Sequence, residues 1–190
     1  MHMNIEPTSI RDVYIITTHA HEDERGFLME TYRQDIFAKA GITDVFVQDN
    51  HVKSHVRNTV RGLHFQWNSP AAKLMRVSRG SAFLVAVDIR KNSPTLGQWV
   101  GIEASAENKK QLYAPAGCAR AYQTLTQDCE VQYKASALYN PEGQGEIAWN
   151  DPKIAIDWPI KETPLLSASS KNTGSLQDWL KSPFSESIVY

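Results

Sequence analysis

From residue 45 to residue 138 the chain repeats one pattern. Short segments alternate apolar and polar side chains at 45–52, 59–66, 73–79, 82–90, 98–104, 110–114, 119–125 and 129–138. Turn formers separate them: Asn68-Ser69-Pro70, Arg79-Gly80, Asn92-Ser93-Pro94, Asn108 and Pro115-Ala116-Gly117. A period of two marks half-buried strands. Many short strands at even spacing, with little helix, predict an all-β antiparallel sandwich or barrel. Upstream, 13–18 and 27–32 read as two further strands, with a polar turn from His19 to Gly26 between them. Residues 33–40 read as a short helix that turns Ile36 and Phe37 inward and stops at Gly41. After Tyr139-Asn140-Pro141 come apolar anchors, Ile147, Trp149, Ile154, Ile156 and Trp158, expected to cap the barrel. Residues 175–181 read as a second helix with Leu176, Trp179 and Leu180 on one face. The length of 190 residues fits one well-cored unit and is short for two. The expected layout is therefore a single domain over 1–190, with N-terminal strands at 13–32, a barrel core at 45–138 and a C-terminal cap at 140–181.

Other features narrow the functional classes. The formal net charge is −1, which gives no bulk attraction to nucleic acid or an anionic membrane. No apolar run approaches the length of a bilayer span. Met1 to Asp12 lacks the apolar core of a signal peptide, so a cytoplasmic location is expected. Cys118 and Cys129 make neither a disulfide framework nor a CxxC pair. His19, His21, Glu22 and Glu24 read as a solvated loop rather than a metal cluster, because their spacing supplies no second ligand group.

The polar residues of the strands carry the chemistry. In Val45-Phe46-Val47-Gln48-Asp49-Asn50 the alternation puts Gln48 and Asn50 on one face. Arg61-Gly62-Leu63-His64-Phe65-Gln66 and Lys73-Leu74-Met75-Arg76-Val77 add Arg61, His64 and Lys73. Polar side chains converging on one face want water or a ligand. His64 has the pKa range of a general base. Lys73 is suited to stabilise an enolate, and Tyr133 to return a proton. Taken singly, a strand tyrosine is more often a packing residue than a proton donor, and a strand histidine more often a satisfied one than a catalytic one. A barrel with a histidine on one strand and Pro115-Ala116-Gly117-Cys118-Ala119-Arg120 on a later one looks like a cupin, a jelly-roll double-stranded β-helix. Metal cupins carry His-x-His and a further histidine. Here His64 stands alone and Arg120 occupies the ligand position, and a guanidinium has no lone pair to give. No metal is expected.

The chain resembles the dTDP-4-dehydrorhamnose 3,5-epimerases over most of residues 10–170. The resemblance rests on Glu24-Arg25-Gly26-Phe27 with Glu30, Phe46-Val47-Gln48-Asp49-Asn50, and Val60-Arg61-Gly62-Leu63-His64-Phe65-Gln66. It continues in Lys73-Leu74-Met75-Arg76-Val77, Ala86-Val87-Asp88-Ile89-Arg90, Ser93-Pro94-Thr95-Leu96-Gly97-Gln98-Trp99, Tyr133-Lys134 and Trp149-Asn150-Asp151-Pro152. It implies an epimerase of a nucleotide-linked 4-keto-6-deoxyhexose, dTDP most readily, that inverts C3, C5 or both through an enolate. It further implies His64 as base, Tyr133 as acid, Lys73 near the keto oxygen, Arg61 on the pyrophosphate, and Gln48, Asp49 and Asn50 on nucleotide and sugar. Tyr139 would join the substrate pocket. Arg25, Phe27 and Glu30 would serve the partner's site in a strand-exchanging homodimer. No cofactor is implied, because the substrate carries its own carbonyl.

The departures cluster in the sugar pocket. The family's first aspartate of Asp-Val-Ala-Val-Asp is here Leu84, a substrate-facing histidine is Arg120, and a glutamate is Gln144. The aspartate that supports the catalytic histidine is Ser170. Ser170 can accept an imidazole N–H but brings no charge, and Arg120 should depress the pKa of His64. The alternatives are a mono-epimerase or isomerase on another nucleotide-linked keto sugar, and a barrel that only binds such a sugar.

Overall fold

The computed structural model describes residues 3–190. Met1 and His2, where the expected unit and its N-terminal segment begin, lie outside the described residues. Two antiparallel sheets face each other. One runs in the order β1 (Met3–Pro7), β2 (Tyr14–Thr18), β10 (Lys110–Ala114), β7 (Lys73–Arg79), β12 (Cys129–Ala135), β5 (Gln48–Ser54). The other runs β13 (Gln144–Glu146), β6 (Val60–Gln66), β11 (Cys118–Thr124), β8 (Ser81–Asp88), β9 (Trp99–Ser105). A small hairpin, β3 (His21–Asp23) with β4 (Gly26–Leu28), stands apart from both. This is the all-β jelly-roll expected, with, among the described residues, two short α-helices, α1 (Gln34–Lys39) and α2 (Leu176–Lys181). Among the described residues no helix is long and apolar enough to cross a membrane.

Alternation builds three apolar layers. Between the sheets lie Met75, Val77, Leu112 and Val131 from one side and Ala82, Leu84, Ala86 and Ile102 from the other. Leu84 is fully buried there. Val85, Val87 and Ile89 point outward from the five-stranded sheet and are covered by Trp158, Leu176 and Trp179. A capping box of Ser175 and Asp178 starts α2 and so fixes Trp179 against Phe65, ring centroids 4.5 Å apart. On the far side, α1 lays Phe37 against Ile16 and Leu74.

The strand Met3–Pro7 was not expected from the sequence, and three further segments differ from the expectation. Residues 45–47 precede β5 rather than belong to it, and Val45 and Val47 are exposed, because the ladder with β12 ends at Gln48–Ala135. The strand expected at 27–32 stops at Leu28, and its partner His21–Asp23 lies in the stretch expected to be a turn. Finally, β13 is a three-residue strand in a stretch read as irregular. Segments this short carry no readable period.

Candidate active site

The site lies between the sheets at one end of the barrel. From the six-stranded sheet, β5 contributes Gln48 and Asn50, β7 contributes Lys73, and β12 contributes Tyr133. From the five-stranded sheet, β6 contributes His64, β11 contributes Arg120, and β13 contributes Gln144. These side chains line a cavity of about 370 Å³, with Tyr139 at its edge. An adjoining cavity of about 180 Å³ shares His64, Lys73, Arg120 and Tyr133 and adds Arg61 and Ser170. The larger volume alone falls in the range of small-molecule sites.

A bulge in β6 decides what faces this space. Arg120 pairs with His64 and Tyr122 pairs with Arg61, so two residues of β11 advance while three of β6 do. In a regular strand Arg61 and His64 would point to opposite faces. The extra residue brings both to the cavity, while Leu63 and Phe65 still turn outward to the C-terminal cap. Gly62 makes the bulge possible. Its φ is +105°, and a Cβ there would collide with the carbonyl oxygen of Arg120.

The mouth is tied by amides. Gln48 donates to Asn50 Oδ1 at 2.7 Å and accepts from the Tyr139 backbone N–H at 2.9 Å. Gln66, which the sequence reading did not assign to the site, donates to the carbonyls of Ser69 and Leu138 and accepts from the Asn140 N–H. Arg61 donates to Ser54 Oγ at 3.2 Å.

The cavity is cationic. Lys73, Arg61 and Arg120 surround His64, and the nearest carboxylate is Glu146, whose Oε1 lies 3.9 Å from His64 Nε2. Burial depresses His64 below its ordinary value near 6.5; Glu146 pulls it up, and Lys73, Arg120 and Arg61 push it further down. Burial and the charge of Arg120 bring Lys73 down to about 7. Burial also lowers Arg120, to about 10. Tyr133 is pushed above its ordinary value by burial, against the pull of Arg120 and Arg61. Lys73 Nζ sits 4.6 Å from the centroid of the Tyr133 ring. Gln144 Nε2 lies 3.4 Å from His64 Nδ1. The Ser170 hydroxyl is bonded to Ser167 Oγ at 2.8 Å.

Four residues expected at the site line neither cavity. Asp49 is on the opposite face of β5, with its side chain 72% exposed and paired with Lys134 at 3.0 Å. The alternation that placed Gln48 and Asn50 inward puts it there. Arg25 and Phe27 lie on or beside the β3–β4 hairpin, where Arg25 pairs with Asp23 and the Phe27 ring is exposed. Glu30 follows the hairpin and lies 3.6 Å from Arg33. Besides Gln66, sequence reasoning missed Glu146. Its only signal was that it follows Gln144 by two, which means nothing until β13 is known to be a strand.

Known proteins share both sequence and architecture. The family model for dTDP-4-dehydrorhamnose 3,5-epimerase matches residues 7–178. The dTDP-4-dehydrorhamnose 3,5-epimerase of Salmonella typhimurium is 49% identical over 168 residues, 87% of this chain and 91% of that one. The dTDP-6-deoxy-D-glucose-3,5-epimerase of Legionella pneumophila, solved with dTDP-4-keto-L-rhamnose, superposes with a TM-score of 0.92 at 40% identity, covering 99% of this chain and 98% of that one. At lower identity, 32%, a 3'-monoepimerase from Streptomyces bikiniensis solved with dTDP-quinovose gives a TM-score of 0.86, covering 93% of this chain and 89% of that one.

Proposed function

Because the chain belongs to the dTDP-4-dehydrorhamnose 3,5-epimerase family, isomerases that act on a nucleotide-linked 4-keto-6-deoxyhexose, we propose that His64 is its base and Tyr133 its acid. The observation that carries this reading is that the two groups come from facing sheets and line the same space. Inverting a carbon requires a proton to leave from one face and return to the other. A ring held between the sheets presents one face to an imidazole and the other to a phenol.

The protonation states suit those roles. His64, depressed by burial and by its cationic neighbours, is a free base at neutral pH. Tyr133, raised by burial, keeps its proton and can donate it. His64 takes the hydrogen on the carbon beside the ketone, and the electron pair moves onto the keto oxygen as an enolate. Lys73, still substantially charged near pH 7, stabilises that oxygen. The enolate collapses as Tyr133 delivers its proton to the opposite face. Solvent then reprotonates the phenolate and removes the proton from His64. Arg61 holds the pyrophosphate, and Gln48 and Asn50 the nucleotide and sugar.

The reading includes a dTDP-linked substrate and a homodimer. Arg25, Phe27 and Glu30 then belong to the partner's site. That they line neither of the chain's own two cavities, and the exposure of Phe27 and Leu28, 57% and 64%, support that assignment. A second reading, inversion at one carbon only, is favoured by the buried Arg120 guanidinium in the sugar pocket.

Proton NMR of purified protein with dTDP-4-keto-6-deoxyglucose tests this. New ring-proton couplings at C3 and C5 are expected; a change at C3 or C5 alone selects the second reading. No conversion of this sugar or of its CDP- and GDP-linked counterparts overturns both. The pH profile of kcat/KM should be narrow. Below the depressed His64 pKa the base is protonated and the rate falls. Above about pH 7 Lys73 loses its charge and the rate falls again. An alkaline limb near 10 or higher, from Tyr133 alone, would exclude the role given to Lys73.

A further inference from the structure

The base reading leaves a problem. A proton taken from carbon must rest on an imidazole surrounded by Lys73, Arg120 and Arg61. Position 170, where the family supplies a carboxylate, holds a serine whose hydroxyl is turned to Ser167. The structure brings a carboxylate in from another strand. In the ladder between β13 and β6, Gln144 opposes Gln66, Gly145 opposes Phe65, and Glu146 opposes His64. The two-residue period therefore puts Gln144 and Glu146 on the face that carries His64. Glu146 Oε1 is 3.9 Å from His64 Nε2, is buried, and accepts no hydrogen bond in the protein. Its side chain is only 13% exposed. A buried carboxylate oxygen without a donor is costly. An imidazolium N–H within reach removes that cost when the proton arrives.

We propose that Glu146 is the positioning carboxylate of His64, doing from β13 what the family does from position 170. It holds the Nε2 side of the ring, which leaves Nδ1, 3.4 Å from the Gln144 amide on the cavity wall, as the nitrogen that takes the proton. Its charge offsets Lys73, Arg61 and Arg120, so that the imidazolium is reached at neutral pH. The groups that set the His64 titration are then Glu146 on one side and Lys73, Arg61, Arg120 and the polar Tyr133 on the other. Glu146 is the neighbour that raises it. This inference rests on His64 as the base, which an NMR titration probes without turnover.

The test is the His64 imidazole titration by NMR in the wild type, Glu146→Gln and Glu146→Asp. In Glu146→Gln the His64 pKa should fall by about one unit. The acid limb of kcat/KM should move with it, and kcat should drop about 10- to 100-fold with KM within a few-fold. Glu146→Asp should retain most of the titration and the rate. An unchanged His64 pKa in folded Glu146→Gln overturns the proposal. Should that variant fail to fold, the wild type decides: the Glu146 carboxylate carbon shift must step at the pH where His64 titrates, and a flat shift overturns the proposal. If the protein converts no keto sugar but the two groups titrate together, the functional reading fails and this one stands. If turnover is normal and the coupling is absent, only this inference fails.

Discussion

The His64→Ala variant is expected to lose about 10³-fold or more in kcat while binding dTDP within a few-fold of the wild type. The split follows from where the side chain sits. His64 is on β6 between Arg61 and Gln66, but the groups assigned to the nucleotide and phosphates are Arg61, Gln48 and Asn50. Removing the imidazole leaves those in place. It removes the base from the wall formed by β6, β11 and β13, whose other cavity-lining side chains there include a cation, Arg120, and an amide, Gln144. Neither takes a proton from carbon near pH 7. Glu146 is close, but its free oxygen is buried and the residue lines neither cavity. Steady-state rates and dTDP titration calorimetry check the two halves. A loss smaller than tenfold would mean that another group is the base. An equal loss in dTDP affinity would mean that His64 binds rather than reacts.

Tyr133→Phe should have a comparably large effect of a different kind. Inversion is expected to fall about 10²- to 10⁴-fold, while exchange of the substrate's carbon-bound hydrogen with solvent continues. His64 still forms the enolate and still returns a proton, but to the face it came from. The substitution deletes one oxygen and keeps the ring, so the 4.6 Å contact with Lys73 and the packing against the apolar interior survive. A drop in exchange equal to the drop in inversion would assign Tyr133 to enolate formation instead. Unchanged inversion would remove it from the mechanism.

The architecture was legible where the chain repeats itself. The strands from β5 to β12 lie where the alternation and the turn residues put them, to within a few residues. The edge strand β1, the hairpin and β13 were not legible; the last two have three-residue strands, which contain no period. Motif matching also cannot separate chemistry from scaffold. Asp88 and Arg90 match the family pattern, yet they form a buried pair at 2.9 Å, with Thr95 also donating to Asp88 at 2.6 Å, and so brace the turn after β8. Asp49 matches as well, and the alternation alone was enough to send it outward. The bulge is the subtler case. Read as a regular strand, residues 59–66 cannot put Arg61 and His64 on one face. Gly62 is the signal that they can, but only the register against β11 shows it. Glu146 depends on register in the same way. Its sequence neighbours say nothing about His64, 82 positions earlier, until β13 pairs with β6.

The central claim is that two groups on facing sheets share the proton transfer. Mass spectrometry of a single turnover in D₂O tests it most directly. If His64 removes the proton and Tyr133 supplies its replacement, every inverted carbon carries one deuterium, because the hydrogen delivered is the exchangeable one from the phenol. Inverted product that keeps its original hydrogen would contradict the account, since it would require one group to carry the same proton around the ring.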